Sequence, residues 1–416
     1  MQDVEPTSLA GNASLWAPLS SPLFRLAAIV ACLSFTGSFI VEFSAIWVLT
    51  TLTARADLIA LAQSAAYACL MVLAIPCGVL SRAYDRRGLL LAMHLSYLVL
   101  LVTFLLFCQS DQRETGVVIT LIFLFGANAA STASVWQVFA PDLAHTRHTG
   151  QAVTLFLTIY NLSRLCGPAI GGLVMMAAGP IATLSLVAGL FALTAILLVK
   201  LPRPAETWTP GRRTVQAFRE AASYILQSRN LQLLSLCSLL YACLGSVIWA
   251  LLPTISRTRL DGMPITFGLL TSSLGLGSLL IAHFIPALLR HFHARSLLRS
   301  ALVGLSVGGL LLDQASTVAP ACLACLWIGS CWFIGVTIFG IVARQIAPSA
   351  DRAQAVTVYL VAFSLGMTVG GSGWGSIAEQ FGQRTAIVTG AILLLIGAFT
   401  TIRLLPHASV PQEETR

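Results

Sequence analysis

The sequence predicts an all-α membrane protein with twelve transmembrane helices in two six-helix pseudo-repeats and both termini in the cytoplasm. Three observations carry this. Of 416 residues, 57% are hydrophobic and 10% are charged, against about 45–50% and about 25% in a soluble domain. The apolar residues are gathered into runs long enough to cross a bilayer. The second half of the chain echoes the first.

The composition excludes a soluble enzyme, a disordered chain and a disulfide-rich module. No period-two alternation of the kind found in outer-membrane barrels runs through it. The net charge of +8 does not point to nucleic acid, because the basic residues lie mostly in short gaps between apolar runs. The ten cysteines fall almost entirely inside those runs, as small packing residues. Cys322 and Cys325 have a CxxC spacing but no His or acidic neighbour, so no metal is assigned.

A crossing needs about 20 mainly apolar residues. In order, the runs are 24–52, 58–80, 89–108, 116–140, 151–178 and 181–199, then 231–255, 265–289, 297–312, 318–343, 353–378 and 385–405. The first is too long, and starts too far along the chain, for a cleaved signal peptide. With the N-terminus inside, 18 basic residues fall on the cytoplasmic side and five (Arg55, Arg113, Arg257, Arg259, Arg384) outside. Basic residues concentrate on the cytoplasmic side of membrane proteins, so this places both termini in the cytoplasm. The predicted organisation is a cytoplasmic segment 1–23, bundles 24–200 and 231–405, a linker 201–230 and a tail 406–416. Prolines 202, 204 and 210 break the start of the linker, and 214–227 reads as an amphipathic helix on the membrane surface.

The halves repeat each other. Gly37-Ser-Phe-Ile in span one matches Gly245-Ser-Val-Ile in span seven, 208 residues later. The loop from Arg82 aligns with the loop from Arg290 at the same offset. Gly167-Pro-Ala-Ile-Gly-Gly in span five matches Gly366-Met-Thr-Val-Gly-Gly in span eleven. Six-plus-six repeats are a transporter architecture, with the substrate site near the midplane between the halves.

These stretches resemble the major facilitator superfamily, over essentially the whole chain. Residues 21–53, PCGVLSRAYDRRGLLL at 76–91, NAASTASVWQVFAPDLA at 128–144 and YNLSRLCGPAIGGL at 160–173 resemble its bacterial branch of enterobactin exporters and macrolide-efflux permeases. The last stretch resembles the superfamily's antiporter signature, carried here by Gly167, Pro168, Gly171 and Gly172. The resemblance implies that these residues mark an exporter. Small residues allow close helix approach, and Pro168 is expected to bend the helix, so this region can seal the two halves while the cavity faces inward. The loop after span two, Gly78, Arg82, Asp85, Arg86 and Arg87, resembles the cytoplasmic gating loop of the family. Arg82 stands where that pattern has Asp. Arg cannot accept a hydrogen bond from a helix N-terminus, which leaves Asp85 to do so or the brace weak.

Glu42 is the acidic residue well inside a span, and Arg164 the basic one. Seventeen residues separate Glu42 from Arg25 and sixteen separate Arg164 from His148. At 1.5 Å rise, these are about 25 Å and about 24 Å, so the two sit at similar depth in spans one and five. An intramembrane carboxylate is costly and usually faces a cavity or a partner. A carboxyl group holds its proton more tightly when desolvated and less tightly beside a guanidinium. Glu42 is therefore expected to carry the proton, with Arg164 as its partner; a static ion pair is the alternative. Trp47, Gln63, Asn128, Trp136, Gln137, Tyr160, Asn161, Trp249 and Trp332 are candidate cavity-lining residues. His94 and His283 are expected to pack, and Asp142 and Asp313, at span ends, to be solvated.

No Gly-rich run ends in Gly-Lys-Ser/Thr, so no ATP site is expected, and no catalytic constellation, cofactor or metal is assigned. The expectation is a monomer in a bacterial inner membrane, exchanging protons for a small organic molecule. The resemblance implies a siderophore first and a drug-like amphipath second. Uptake by proton symport and a non-transporting membrane sensor are the competing readings.

Overall fold

The computed structural model describes residues 16–83, 85–110, 114–143, 149–202, 228–348 and 352–405. The proposed linker helix 214–227 lies outside the described residues. The described residues are almost entirely helical, with no strand among them. After a short 3-10 turn at Ala17–Ser20 come α1 (Pro22–Leu52), α2 (Ala56–Ala83), α3 (Arg86–Gln109), α4 (Thr115–Asp142) and α5 (Thr149–Leu198). The second half holds α6 (Arg229–Thr258), α7 (Pro264–His291), α8 (Ala294–Gln314), α9 (Val318–Ile346), α10 (Arg352–Phe381) and α11 (Gln383–Leu404). Eleven of these helices are long and apolar enough to cross a membrane. Their starts carry ordinary signals: Ser21 before Pro22, Asp85 and Ser228 each accept a backbone N–H of the turn that follows. Gly262 and Gly382 turn the chain between helices at φ 67° and 89°, where a Cβ would be strained.

α5 has 50 residues and would be about 75 Å long if straight. It is not straight. Gly179 leaves the helical region at φ 80° and ψ 178°, and Pro180 follows. Leu155 and Leu198 share one apolar cluster with Phe24, so the second arm, 180–198, returns beside the first, 149–178. The sequence places a bend at Pro168; the backbone there stays helical, and Gly179 is where it departs. Gly can take a positive φ that other residues avoid, whereas Pro168 only removes the N–H that would bond the Arg164 carbonyl.

Within each half, helices meet through small residues. A Cβ on Gly277 would strike the Leu326 carbonyl, and one on Gly329 the Leu274 carbonyl. Around this crossing of α7 and α9, Ser278 donates to the Gly329 carbonyl and Ser330 to the Gly277 carbonyl, each at 3.0 Å.

The halves are joined towards one end of the bundle, that of the α1–α2 connection at Thr53. The hydrogen bonds of Ala56 with Glu379, Ser64 with Thr368 and Leu165 with Ser272, the stacking of Phe43 and Trp47 on Phe267, and the close approaches at Gly172, Gly268, Gly371 and Gly375 lie towards it. α2 packs on α10, and the first arm of α5 on α7. Asp313 at the same end corrects the expectation of a solvated residue. It is 3% exposed and bonds Arg259 at 2.6 Å, with Arg384 at 3.5 Å. An aspartate at a helix end is buried here because the ends of α6, α8 and α11 converge and bring two guanidinium groups with them.

Gly329→Val is expected to lower the thermal midpoint of the detergent-purified protein, at a cost of about 1–3 kcal/mol from overpacking. Gly373→Ala, where nothing lies within 4 Å of the added carbon, is expected to leave it unchanged or slightly raised.

Candidate functional site

α1 is surrounded. It packs on α2, α4 and α5 of its own half and touches α6 and α7 of the other. Val41 and Phe43 are buried, yet Glu42 between them is exposed. Residues of α2 and α4 face it across a small space. A cavity of about 20 Å³ lies beside the carboxylate, lined by Ser38 and Ala45 of α1, Gln63 and Ala66 of α2, and Phe125 and Ala129 of α4, among others. It has room for about one water molecule. Arg164, half-buried on α5, is close enough for its charge to act on Glu42 and on the hydroxyls of Tyr67 and Tyr160. Among the described residues, neither Glu42 nor Arg164 makes a hydrogen bond or an ion pair within 4.0 Å.

Local packing explains why these groups converge. Tyr160 and Arg164 are one helical turn apart on α5, and Gln63 and Tyr67 one turn apart on α2, so each pair shares a face. Tyr160 packs edge-on against Phe35 and Phe39, with centroids at 5.1 and 5.3 Å. The Thr36 hydroxyl donates to Ser163 at 3.1 Å. Gly167 and Gly171 let α5 lie against α1: a Cβ on the first would meet Phe39 Cβ at 2.7 Å, and one on the second Phe43 at 2.9 Å.

The remaining candidates spread over several places. Trp47 stacks on Phe267 of α7 at 6.0 Å, with the Arg257 guanidinium 5.6 Å from its ring; this is the junction between the halves. Trp136 is 1% exposed in a cluster with Phe35, Phe139 and Phe156. Trp249 and Trp332 pack together at 4.1 Å in the second half. The Asn128 amide donates to the Met93 carbonyl at 3.1 Å and to Ser96, beside a groove of about 450 Å³ between α3 and α4. Exposed Val99 and Leu124 also line that groove. Gln137 is exposed and Asn161 bonds its own helix at the Leu157 carbonyl. His94 is fully buried between the Leu90 carbonyl and Ser34, a packing role. In the loop after α2, Asp85 caps its own helix by accepting from the Arg87 N–H at 3.1 Å, and Arg87 donates to the Leu201 carbonyl. Gly78 and Arg82 lie in the helical backbone of α2.

The Gly-Pro motif faces both ways. Gly167 and Gly171 face α1, while a Cβ on Gly172 would meet the Pro264 carbonyl of α7 at 2.9 Å. The second copy repeats this on the other side. Gly366 and Gly370 lie against α6 at the Leu239 and Cys243 carbonyls, and Gly371 against Ser64 of α2. Ser272 donates to the Leu165 carbonyl at 2.6 Å, and the Phe43 and Phe267 rings stack at 5.2 Å. Glu42 and Arg164 thus sit at the inner edge of the junction, each next to a residue that forms it.

The sequence reading missed Glu379 and Tyr67. The Glu379 carboxylate, at the end of α10, accepts the Ala56 N–H at 2.7 Å and so caps the first turn of α2 from the opposite half. A carboxylate is favoured there because the helix N-terminus carries unsatisfied N–H groups and positive potential. The position of Glu379 at the end of span eleven was a signal, but its partner is 323 residues away. Tyr67 could have been found from its spacing to Gln63.

A family model described as "Transmembrane secretion effector" matches residues 13–414. The chain belongs to this family of major facilitator superfamily transporters. It is 24% identical over 311 residues to the staphyloferrin A transporter of Staphylococcus aureus (strain NCTC 8325 / PS 47), covering 72% of this chain and 76% of that one. Two solved structures share the fold at 14% identity. They are the nucleoside transporter NupG (TM-score 0.75, 93% of this chain, 100% of that one) and a bacterial homologue of Spinster, inward-facing and unoccupied (TM-score 0.72, 92% and 97%). This membrane transporter is accordingly not an enzyme.

Glu379→Ala is expected to cost the junction about 1 kcal/mol, the worth of a cap. In a cysteine-free background, a cysteine replacing Ala60, which packs against Gly375, should then react about fivefold faster with a membrane-impermeant maleimide.

Proposed function

We propose that this transporter is a proton-coupled exporter of a small organic molecule, a siderophore first, working by alternating access in a bacterial inner membrane. In this reading the Gly179 hairpin makes α5 two crossings, so that twelve spans leave both termini in the cytoplasm. The Thr53 end is then the outer end, and the junction there closes the outside while the interior faces the cytoplasm.

The observation that carries the reading is Glu42: one exposed carboxylate within the apolar bundle, at the inner edge of the junction and in reach of a single guanidinium. Opening the outer junction separates Phe43 from Phe267 and Leu165 from Ser272, so the neighbours of Glu42 and Arg164 move with each change of state. A carboxyl group whose surroundings alternate can take a proton on one side and release it on the other. The resemblance to the staphyloferrin A transporter supports an iron-chelating cargo, and the Gly-Pro motif at the junction supports export over symport.

In proteoliposomes, Glu42→Gln is expected to abolish transport driven by a pH gradient while leaving substrate exchange without a gradient in place. Coupled transport at the wild-type rate would remove Glu42 from the mechanism. In inside-out vesicles, acidifying the lumen should drive accumulation of the cargo; accumulation only in right-side-out vesicles would show uptake instead.

A further inference from the structure

α7 begins at the junction, where Gly268 lies against Pro168, so its far end and the start of α8 form a corner at the opposite end of the bundle. This corner gathers Arg290, His291, His293 and Arg299, all exposed, with Arg295 half-buried among them. No aspartate or glutamate occurs from Gly262 to Leu312, so neither helix supplies a counter-charge. Arg295 already has work within the bundle: its Nε donates to the Leu405 carbonyl at 3.2 Å, and its Nη2 to the same oxygen.

The first half provides an internal comparison. At the repeat's offset of 208, Arg295 corresponds to Arg87, and the two do the same thing: Arg87 donates to the Leu201 carbonyl at 2.8 Å. The corners differ at two other places. Asp85, which caps α3 by accepting the Arg87 N–H, corresponds to His293, whose side chain makes no cap bond. Leu91 corresponds to Arg299. The second corner thus has a histidine for an acid and an arginine for a leucine. Basic loops are general on one side of a membrane protein, but neither of these two differences serves the clamp that both corners share.

Arg299 lies in the second turn of α8, in line with Ser296, Val303, Val307 and Leu311 at spacings of three and four residues. α8 packs on α9 and α11 of its own half, with a lighter touch on α6. The exposed side of the stripe, Val307 and Leu311, is therefore on the outside, where lipid tails cover it. Val307 is eight residues from Arg299, about 12 Å along the helix, so a cationic group stands above an apolar strip. The long arginine stem can lie on that strip while the guanidinium reaches the headgroup level, where its forked N–H groups fit phosphate oxygens. A zwitterionic headgroup brings an ammonium for which the two helices offer no acid; an anionic headgroup does not. We propose that the α7–α8 corner binds an anionic phospholipid, with its phosphate on Arg299 in the field of Arg290 and the two histidines, and a tail along Val307 and Leu311.

The full chain, purified in dodecylmaltoside micelles, is titrated with dioleoyl-phosphatidylglycerol, with dioleoyl-phosphatidylcholine or with inorganic phosphate, and its thermal midpoint is followed. Phosphatidylglycerol is expected to reach half its effect at about fivefold lower concentration than phosphatidylcholine, the worth of one arginine beside an anionic headgroup. Arg299→Leu installs the residue of the first half and should bring the two lipids level. His293→Asp should narrow the gap. Arg299→Lys keeps the charge and should keep most of the gap, which covers a failure of the leucine variant to fold. Arg352→Gln removes an exposed charge from the start of α10, at the same end of the bundle, and should leave the gap unchanged. Equal effects of the two lipids on the wild type, a gap that survives Arg299→Leu, a gap lost equally in Arg352→Gln, or the same shift from inorganic phosphate alone would overturn the site.

Discussion

Close approach of backbones at small residues is what the architecture depends on. Between helices in a bilayer, apolar surface gains little from being covered, because lipid tails are as apolar as leucine side chains. Cohesion must come from tight packing and interhelical hydrogen bonds. The crossing of Gly277 and Gly329, flanked by two serine-to-carbonyl bonds, meets both needs inside the second half. The same device joins the halves. Gly172 lies against α7, Gly268 of α7 lies against the Pro168 carbonyl, and Gly371 and Gly375 lie against α2. Contacts of this type are close but chemically undemanding. Two glycine faces can part without leaving a buried charge behind.

Much of the fold was legible in the sequence because membrane spans are written in length and hydropathy. Eleven long apolar helices stand where the runs were read, with the fifth and sixth runs joined across Gly179. The repeat between Gly167 and Gly366 predicted matching small-residue surfaces, and both copies place their last glycine against the opposite half. Asp313 was misread because a span end suggests water, whereas burial there depends on two arginines from other helices. Spacing along one helix cannot show such convergence.

The site was legible in part for the same reason. A lone carboxylate and a lone guanidinium inside apolar runs stand out in any hydropathy profile, and counting residues from the cytoplasmic ends put them at similar depth; the pairing of Thr36 with Ser163 and of Phe43 with Gly171 sets Glu42 about 9 Å farther along the bundle than Arg164. Aromatic residues give no such signal. Trp136, Trp332 and Trp47 fill three different packed regions, because a large ring is as useful for filling a core as for touching a ligand. Glu42 stands out from them by its charge and by its place beside a small cavity between α1, α2 and α4, the second of which is a property of three dimensions.

Arg259 ends α6, Asp313 lies near the end of α8 and Arg384 begins α11, and a single buried carboxylate ties all three. Helix ends fastened in this way cannot slide past one another, so they travel as one piece. Without that carboxylate, two guanidinium groups would face each other at this corner with nothing to offset their repulsion.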